Sequence, residues 1–199
     1  YLPAQEINNG VVKIAVIEGQ YGKVIVRNPT NLSNRLVENQ LEGINSGDAI
    51  TSVPLEHRLL LLSDIAGVKI NSTLAPGATV GTSDLIVDVA PAARVNGSID
   101  ADNAGNRYTG ENRLGSTINV NNLAGQGDVS SLRLLTSAEG LNDARAAYQL
   151  QVDKATVGAA YSWLEYELGE EFTSLDASGD AKIASVYGRY PLMRSRNNN

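Results

Sequence analysis

Hydrophobic positions in the first half of the chain change from strand-like to helix-like spacing and back again. Apolar and polar residues alternate up to Arg27, which predicts strands, and then recur every three or four residues, which predicts two helices. The second helix is predicted to start near Pro54 and to end at Gly67, because proline is tolerated in a first turn and glycine commonly ends a helix. The predicted elements are strands 10–19 and 22–27, helices 32–45 and 54–67, and strands 68–74 and 85–89. This order predicts one β-α-α-β-β module over residues 20–92.

Beyond Pro91 the helical spacing largely disappears, and alternating runs are separated by clusters of glycine, asparagine, aspartate and serine. Such clusters are typical of tight turns, and strands joined by short turns pair most economically with their neighbours in antiparallel order. The predicted strands are 94–101, 112–120, 130–137, 144–152, 155–165 and 181–190. The second half of the chain is therefore predicted to be an antiparallel β-meander.

The alternation within these strands predicts a sheet with one apolar and one polar face. In the run 155–165, Val157, Tyr161 and Trp163 share a face, and the residues between them are mostly small or polar. Seven of the ten aromatic residues lie beyond residue 140. An apolar face with aromatic residues near the strand ends is typical of strands that span a membrane, with lipid on one side and water on the other. A soluble sandwich that buries the same face is the alternative.

The composition excludes several kinds of site. The 199 residues include no cysteine, which removes thiolate metal sites, disulfides and thiol nucleophiles together. The net charge is −6, and acidic residues exceed basic ones in each half of the chain, so no basic face for nucleic acid is indicated. The longest run of leucines, 59–62, is far shorter than the roughly 20 residues that a membrane-spanning helix needs.

One stretch carries carboxylates at the spacing of a calcium loop. Asp100, Asp102 and Glu111 occupy the first, third and twelfth positions, and Gly105 occupies the sixth. Ala104 stands where a fifth-position oxygen ligand is expected, and both flanks read as strands, whereas an EF-hand needs helices. The same residues suit a tight hairpin. A hairpin turn is therefore predicted, with calcium binding as the less favoured alternative.

No combination of residues predicts catalysis. His57, the one histidine, lies on a predicted helix and has no nucleophile to activate, so a packing role is predicted for it. An acidic cluster near the end of the chain lies in a turn region, and spacing in sequence does not establish the separation that a glycosidase needs. The cluster comprises Glu165, Glu167, Glu170 and Glu171. The run 125–128 lacks the lysine of a phosphate loop and is predicted to be a turn. No catalytic, cofactor-binding or metal site is assigned.

Several strings, taken in order along the chain, resemble a single family. The strings are YLPAQEI and GVVKIAVIEG within 1–19, LLLLSDIAGV at 59–68, LAPG and GTSDL within 74–85, DNAGNRYTG at 102–110, LAGQGD at 123–128 and YPLMRSR at 190–196. Together they resemble the ShlB-type haemolysin secretion/activation proteins, which are the outer-membrane transporters of two-partner secretion within the Omp85 superfamily. The resemblance extends over essentially the whole chain, and the order of the strings is its most specific feature.

The resemblance implies a fold, a location and partners. It implies that residues 1–19 end a first POTRA domain, that residues 20–92 form a second, α+β POTRA domain, and that residues 93–199 form the N-terminal strands of an antiparallel transmembrane β-barrel. The implied location is a Gram-negative outer membrane, with the POTRA region in the periplasm. The implied partners are outer-membrane lipid and a secreted exoprotein with an N-terminal secretion domain. Nucleic acid, nucleotide, cofactor and enzymatic activity are not implied.

The expected function is capture of an unfolded exoprotein, of haemolysin or adhesin type, for passage through the barrel. Two alternatives are kept: a β-barrel assembly factor of the same superfamily, and a soluble β-sandwich that acts as a surface adhesin or binding module. Both ends of the chain read as cuts through a longer protein. Six strands do not close a pore of the family's size, so this polypeptide by itself is expected not to transport and to be prone to aggregation, whereas its POTRA portion alone is expected to be soluble.

Overall fold

The computed structural model describes residues 12, 14 and 16–195. Over these residues the chain runs from a small mixed module into a long antiparallel meander, joined by a short link after Pro91. The elements are β1 (Gln20–Arg27), α1 (Asn34–Gln40), α2 (Ser52–Ser63), β2 (Val68–Pro76), β3 (Thr82–Pro91), β4 (Val95–Asp102), β5 (Arg113–Asn121), β6 (Val129–Thr136), β7 (Leu141–Val152), β8 (Ala155–Glu167), a 3₁₀-helix (Glu170–Leu175) and β9 (Ser178–Arg189).

Three predicted elements differ from the structure by more than three residues at one end. The helix predicted over 54–67 spans Ser52–Ser63 and thus ends before Gly67. Of the strand predicted over 10–19, residues 10, 11, 13 and 15 lie outside the described residues, and the others are not in a strand. The helix predicted over 32–45 is shorter and ends at Gln40. Gly43, with φ of +89°, adopts the left-handed conformation that glycine tolerates, so the chain turns there although hydrophobic residues continue at helical spacing.

The small module is a three-stranded sheet with two helices packed on one face. Strand β3 is central, parallel to β1 and antiparallel to β2. Leu85, Val87 and Val89 alternate along β3 and are buried, because a period of two places them all on the helix-facing side. They pack in one core with Val37 of α1 and Leu62 of α2. The β-α-α-β-β order predicted from the hydrophobic pattern is confirmed.

The two edges of this small sheet differ. The segment before α2 lies along β1: Gly47 N–H donates to the Tyr21 carbonyl at 2.8 Å, and Tyr21 N–H donates to the Asp48 carbonyl at 2.9 Å. Ile50 N–H donates to the Gly19 carbonyl at 2.8 Å. Strand β2 pairs with β3 only, and within the described residues no other strand lies along its outer side. One edge of the module is therefore occupied and the other is open.

Strands β4 to β9 form a six-stranded sheet in which every strand is hydrogen-bonded to its neighbours in chain order. All five pairings are antiparallel and run without a register shift. The predicted meander is confirmed, with β7, β8 and β9 extended by a few residues beyond their predicted starts or ends. In the part of the chain that the structure covers, no helix has the length and apolar character needed to cross a membrane.

Candidate functional site: the two-faced sheet and its junction with the module

The register of the six strands sorts their side chains into two faces. Directly opposed residues of antiparallel strands lie on the same face, so the pairs Val95–Val120 and Leu132–Ala146 place apolar residues together. The pair Ala146–Tyr161 continues this face into β8. The alternating pattern of each strand thus adds up to one apolar face that extends from β4 to β9.

This apolar face is not covered by any other part of the described chain. Ile99 is 81% exposed and Val186 is 87% exposed, although both stand in the middle of regular strands. Other large exposed side chains of this face are Val95, Leu114, Ile118, Leu132, Leu134, Tyr148, Val157, Tyr161 and Trp163. A contiguous apolar surface built from this many exposed side chains marks a site that contacts lipid or another protein.

The opposite face is polar and carries charges of both signs. One row across the sheet, read through the strand pairings, is Ser98, Thr117, Arg133, Arg145 and Ser162. Asp102 of the same face accepts hydrogen bonds from Arg113, with Nη2 and Nε both 2.8 Å from its Oδ1. This face suits contact with water or with a polypeptide backbone.

The small module touches the sheet first through the turn between β5 and β6, residues 122–128. The Asp128 side chain is fully buried in this turn, where its carboxylate accepts the N–H groups of Leu123 and Ala124 at 3.0–3.2 Å. Gln126 N–H donates to the same carboxylate at 3.3 Å. Asp128 therefore replaces the missing backbone partners of a tight turn and fixes its shape.

The turn is held against the helices by amide contacts. Asn31 Nδ2 donates to the Asn122 carbonyl at 3.0 Å, and Asn122 Nδ2 donates to Asn31 Oδ1 at 3.0 Å. Ser33 N–H, before α1, donates to the Gly125 carbonyl at 2.8 Å. Gly127 has a φ of +60°, and a Cβ there would lie 2.8 Å from Cγ2 of Ile65. Glycine is thus required at position 127 both for the conformation and for the close approach.

The turn between β7 and β8 makes a second contact with helix α1. Asn39 Nδ2 donates to the Asp153 carboxylate at 2.6 Å, and the buried Gln40 donates its Nε2 to the Asp153 carbonyl. Lys154 lies 3.6 Å from the carboxylate of Glu42. Two turns at this end of the sheet therefore bind helix α1 and the residues just before it.

The segment that follows β9, residues 190–195, makes the third contact, with helix α2. Arg194 donates from Nε and Nη2 to the two carboxylate oxygens of Asp64, at 2.8 and 3.0 Å. These hydrogen bonds raise the pKa of Arg194, so the guanidinium stays charged. His57 Nδ1 lies 3.0 Å from the Arg194 carbonyl and 3.3 Å from its N–H. The module is thus bound to the sheet at three places along the same end.

The loops at the other end of the sheet bind one another. Arg107, in the β4–β5 loop, donates to both carboxylate oxygens of Glu171 at 2.8 Å. The rings of Tyr108 and Phe172 meet edge to face, with centroids 5.1 Å apart. Ser137, between β6 and β7, donates its hydroxyl to the Thr109 carbonyl. Three successive loops are therefore cross-linked at this end.

The residues considered for chemistry are not brought together. Asp102 accepts from Ala104 N–H at 2.9 Å within the predicted hairpin turn, and its carboxylate is paired with Arg113. Glu171 is paired with Arg107, whereas Glu165 and Glu167 stand on β8. His57 is half-buried on α2 and binds the backbone of residue 194, which is a packing role. Over the described residues, no three His, Cys, Asp or Glu side chains converge as metal ligands would.

The sequence of this chain matches one protein family over most of its length. Residues 81–199, which are more than half of the chain, match the model of the haemolysin secretion/activation protein family ShlB/FhaC/HecB. The chain belongs to this family. HuxB of Haemophilus influenzae strain 86-028NP, a heme/hemopexin transporter protein, is 34% identical over 98% of this chain and 35% of its own length. CdiB of Escherichia coli O6:K15:H31, an outer membrane transporter, is 25% identical over 83% of this chain and 29% of its own.

Two solved structures share the fold of this chain. CdiB from Escherichia coli superposes with a TM-score of 0.68 at 21% identity, over 98% of this chain and 37% of CdiB. BamA from Haemophilus ducreyi, in a form that lacks its POTRA domains 1–3, gives 0.60 at 10% identity, over 84% of this chain and 32% of BamA. The chain thus spans about a third of the length of the proteins that it matches, and the likeness to a region of two barrel proteins supports a partial β-barrel.

The residues that bind the module to the sheet were not predicted as a site. The string LAGQGD was recognised as a turn, and the structure confirms the turn. The contacts of Asn31 with Asn122 and of Asp64 with Arg194 join positions 91 and 130 residues apart, respectively. For Asp64 and Arg194, the one signal in the sequence is that the strings that contain them, at 59–68 and 190–196, belong to the resemblance quoted above. Asn31 and Asn122 lie outside the quoted strings.

Proposed function

We propose that this chain is the part of a two-partner-secretion transporter that joins a polypeptide-binding module to the first strands of an outer-membrane barrel. Residues 20–92 act as a POTRA domain in the periplasm, and residues 93–199 supply strands that span the outer membrane of a Gram-negative bacterium. The partner is a secreted exoprotein with an N-terminal secretion domain. The observation that carries this proposal is the uncovered apolar face of a regular sheet whose opposite face is polar.

The two faces meet the physical demands of a bilayer. Lipid offers no hydrogen bonds, so a spanning segment must satisfy its backbone groups internally and present apolar side chains outward. Strands β5 to β8 are paired on both sides and satisfy this condition. The outer edges of β4 and β9 are open within the described residues, and in the whole protein further strands pair there to close the barrel.

The module supplies a place to capture an extended polypeptide. Strand β2 offers an unpaired edge, whereas β1 is occupied by residues 47–50. An unfolded segment adds to such an edge through main-chain hydrogen bonds, which require no particular sequence. We assign the capture of the exoprotein to β2, and its onward path to the polar face of the sheet.

The experiment uses two adjacent positions of β5 in the whole protein. Ile118 lies on the apolar face and Thr117 on the polar face, since Ile118 opposes Leu132 and Thr117 opposes Arg133. Each is replaced by cysteine in a cysteine-free background, spin-labelled, and reconstituted in liposomes. The label at 118 is expected to be relaxed by dissolved oxygen, and the label at 117 by a water-soluble nickel complex.

Equal exposure of both labels to the nickel complex would overturn the membrane assignment. A whole protein that is monomeric and folded without detergent would do the same and would favour the soluble sandwich. Secretion is tested separately: cells that lack the gene are expected to retain the partner exoprotein, and cells that express the whole protein are expected to release it.

A further inference from the structure

A cleft of about 720 Å³ lies between helix α2 and the module end of β7, β8 and β9. Leu61, which is buried in α2, forms part of its wall. Leu192 and Met193, which follow β9, line it from the other side, and they are 86% and 73% exposed. Asp64, which belongs to the third contact, lines the cleft without filling it, so exposed apolar side chains stand beside the polar contacts of the junction.

The cleft is continuous with the polar face of the sheet. Gln151, Thr156 and Arg189 line it, and they are directly opposed on neighbouring strands, so they form one row of that face. Thr156 Oγ1 donates to Gln151 Oε1 at 3.0 Å, which leaves the amide nitrogen of Gln151 turned to the Asp153 carbonyl. A chain that lies in the cleft therefore touches the module on one side and the first row of the polar face on the other.

The charges of the cleft favour a carboxylate. Asp64 is neutralised by Arg194, and Lys154 is paired with Glu42. Arg189 has no carboxylate within 4.0 Å in the described part of the chain. The surplus is therefore one positive charge, beside the exposed thioether and isobutyl groups of Met193 and Leu192. Methionine adapts to apolar side chains of different shapes, which suits a site that accepts many sequences.

We infer that this cleft is a binding subsite for an extended polypeptide segment that alternates apolar and acidic side chains. The apolar side chains contact Leu61, Leu192 and Met193, and a carboxylate binds Arg189. The subsite rests on the proposed transport function and adds to it a place between capture on β2 and passage along the polar face. It also adds a preference for bound segments that carry negatively charged side chains.

The test measures peptide binding to the purified whole protein in lipid nanodiscs. The probe is a fluorescein-labelled peptide of about twelve residues that alternates leucine and glutamate, compared with leucine–lysine and serine–glutamate peptides. Fluorescence anisotropy is expected to show the strongest binding for the leucine–glutamate peptide. Arg189→Glu is expected to weaken that binding about tenfold and to strengthen binding of the leucine–lysine peptide, because reversing a charge contact reverses its sign.

Two further variants distinguish peptide binding in the cleft from nonspecific hydrophobic binding elsewhere on the protein. The double variant Leu192→Asp, Met193→Asp is expected to weaken binding of the leucine–glutamate peptide about tenfold or more. Val80→Asp is the matched control, since Val80 is 91% exposed and lies in the β2–β3 loop, outside the cleft; it is expected to change nothing. Circular dichroism of each variant checks that the fold is retained.

Two results would overturn the inference. The first is equal affinity of the leucine–glutamate peptide for the wild type and for Arg189→Glu. The second is protection of a cysteine at position 192 from a water-soluble maleimide without peptide, which means that another part of the whole protein fills the cleft. Secretion of the exoprotein is measured in the same strains. Normal secretion by folded cleft variants that bind the peptide like the wild type refutes the subsite alone, whereas absence of secretion by the wild type refutes the transport function.

Discussion

The guanidinium of Arg194 and the carboxylate of Asp64 form a two-pronged hydrogen bond, at 2.8 and 3.0 Å, that joins the segment after β9 to the end of α2. Paired N–H donors match both oxygens of a carboxylate, so this geometry defines an orientation as well as a contact. The Arg194 side chain is 19% exposed and that of Asp64 is 49% exposed, so water screens the pair and its worth lies mainly in positioning.

Arg194→Lys is expected to loosen residues 190–195 without unfolding the protein. Lysine keeps the positive charge but cannot donate two parallel hydrogen bonds to Asp64. Hydrogen–deuterium exchange of the whole protein is expected to rise in residues 190–195 and at the end of α2. Arg107→Lys, at the opposite end of the sheet, serves as the control, and its effect is expected in the Glu171 loop only. Unchanged exchange around residue 194 would show that the pair does not hold the segment.

Asp128→Asn is expected to destabilise the turn at 122–128 by about 1–3 kcal/mol. The carboxylate accepts several backbone N–H groups in a buried place, and an amide would present a donor to some of them. Chemical denaturation monitored by circular dichroism measures the change. Asp176→Asn is the control, because Asp176 stands in an exposed left-handed position that asparagine also favours. Equal stability of the two variants would contradict the role given to Asp128.

Tyr21 is expected to make the small module sensitive to alkali. Burial raises the pKa of Tyr21, and the nearby charge of Asp48 raises it further, so the folded module favours the neutral phenol. The associated stability is complete below about pH 10, the ordinary tyrosine range, and is lost as the pH rises through the higher folded-state pKa.

Tyr21→Phe is expected to flatten the loss of stability above about pH 10, since phenylalanine fills the same space without ionising. The measurement is the denaturation midpoint as a function of pH, followed by exchange of the β1 amides. Tyr190→Phe is the control, because the Tyr190 side chain is 58% exposed. If the denaturation midpoint falls with pH equally in Tyr21→Phe and in the wild type, the loss of stability in alkali comes from groups other than Tyr21.

Proline substitutions on β2 are expected to separate folding from capture. Neighbouring residues of a strand point their N–H groups to opposite sides, so one of Ser72 and Thr73 donates towards β3 and the other towards the open edge. Proline at the outward position is tolerated in an edge strand, while proline at the inward position removes a ladder hydrogen bond. One variant is therefore expected to fold and lose binding of the exoprotein's secretion domain, and the other to be destabilised. Full binding by the variant that folds would exclude β2 as the capture edge.

Local pattern predicted most of the fold and little of the junction. Period-two alternation located all six strands of the large sheet because each exposes one apolar and one polar face, as Trp163 and Ser162 illustrate. The end of α1 was missed because Gly43 acts through backbone conformation, which hydrophobic spacing does not report. The pairing of Asn31 with Asn122 depends on how the small module and the large sheet meet, and neither residue belongs to a periodic hydrophobic pattern.

The parity of the large sheet has a consequence for how the whole protein assembles. Six antiparallel strands return the chain to the side on which it entered, so residue 190 emerges beside the module that precedes β4. An odd number would have left Arg194 a full strand length away from Asp64. The contact between Arg194 and Asp64 therefore depends on all six strands being in place, so its presence reports that the sheet is complete and not that any single strand has formed.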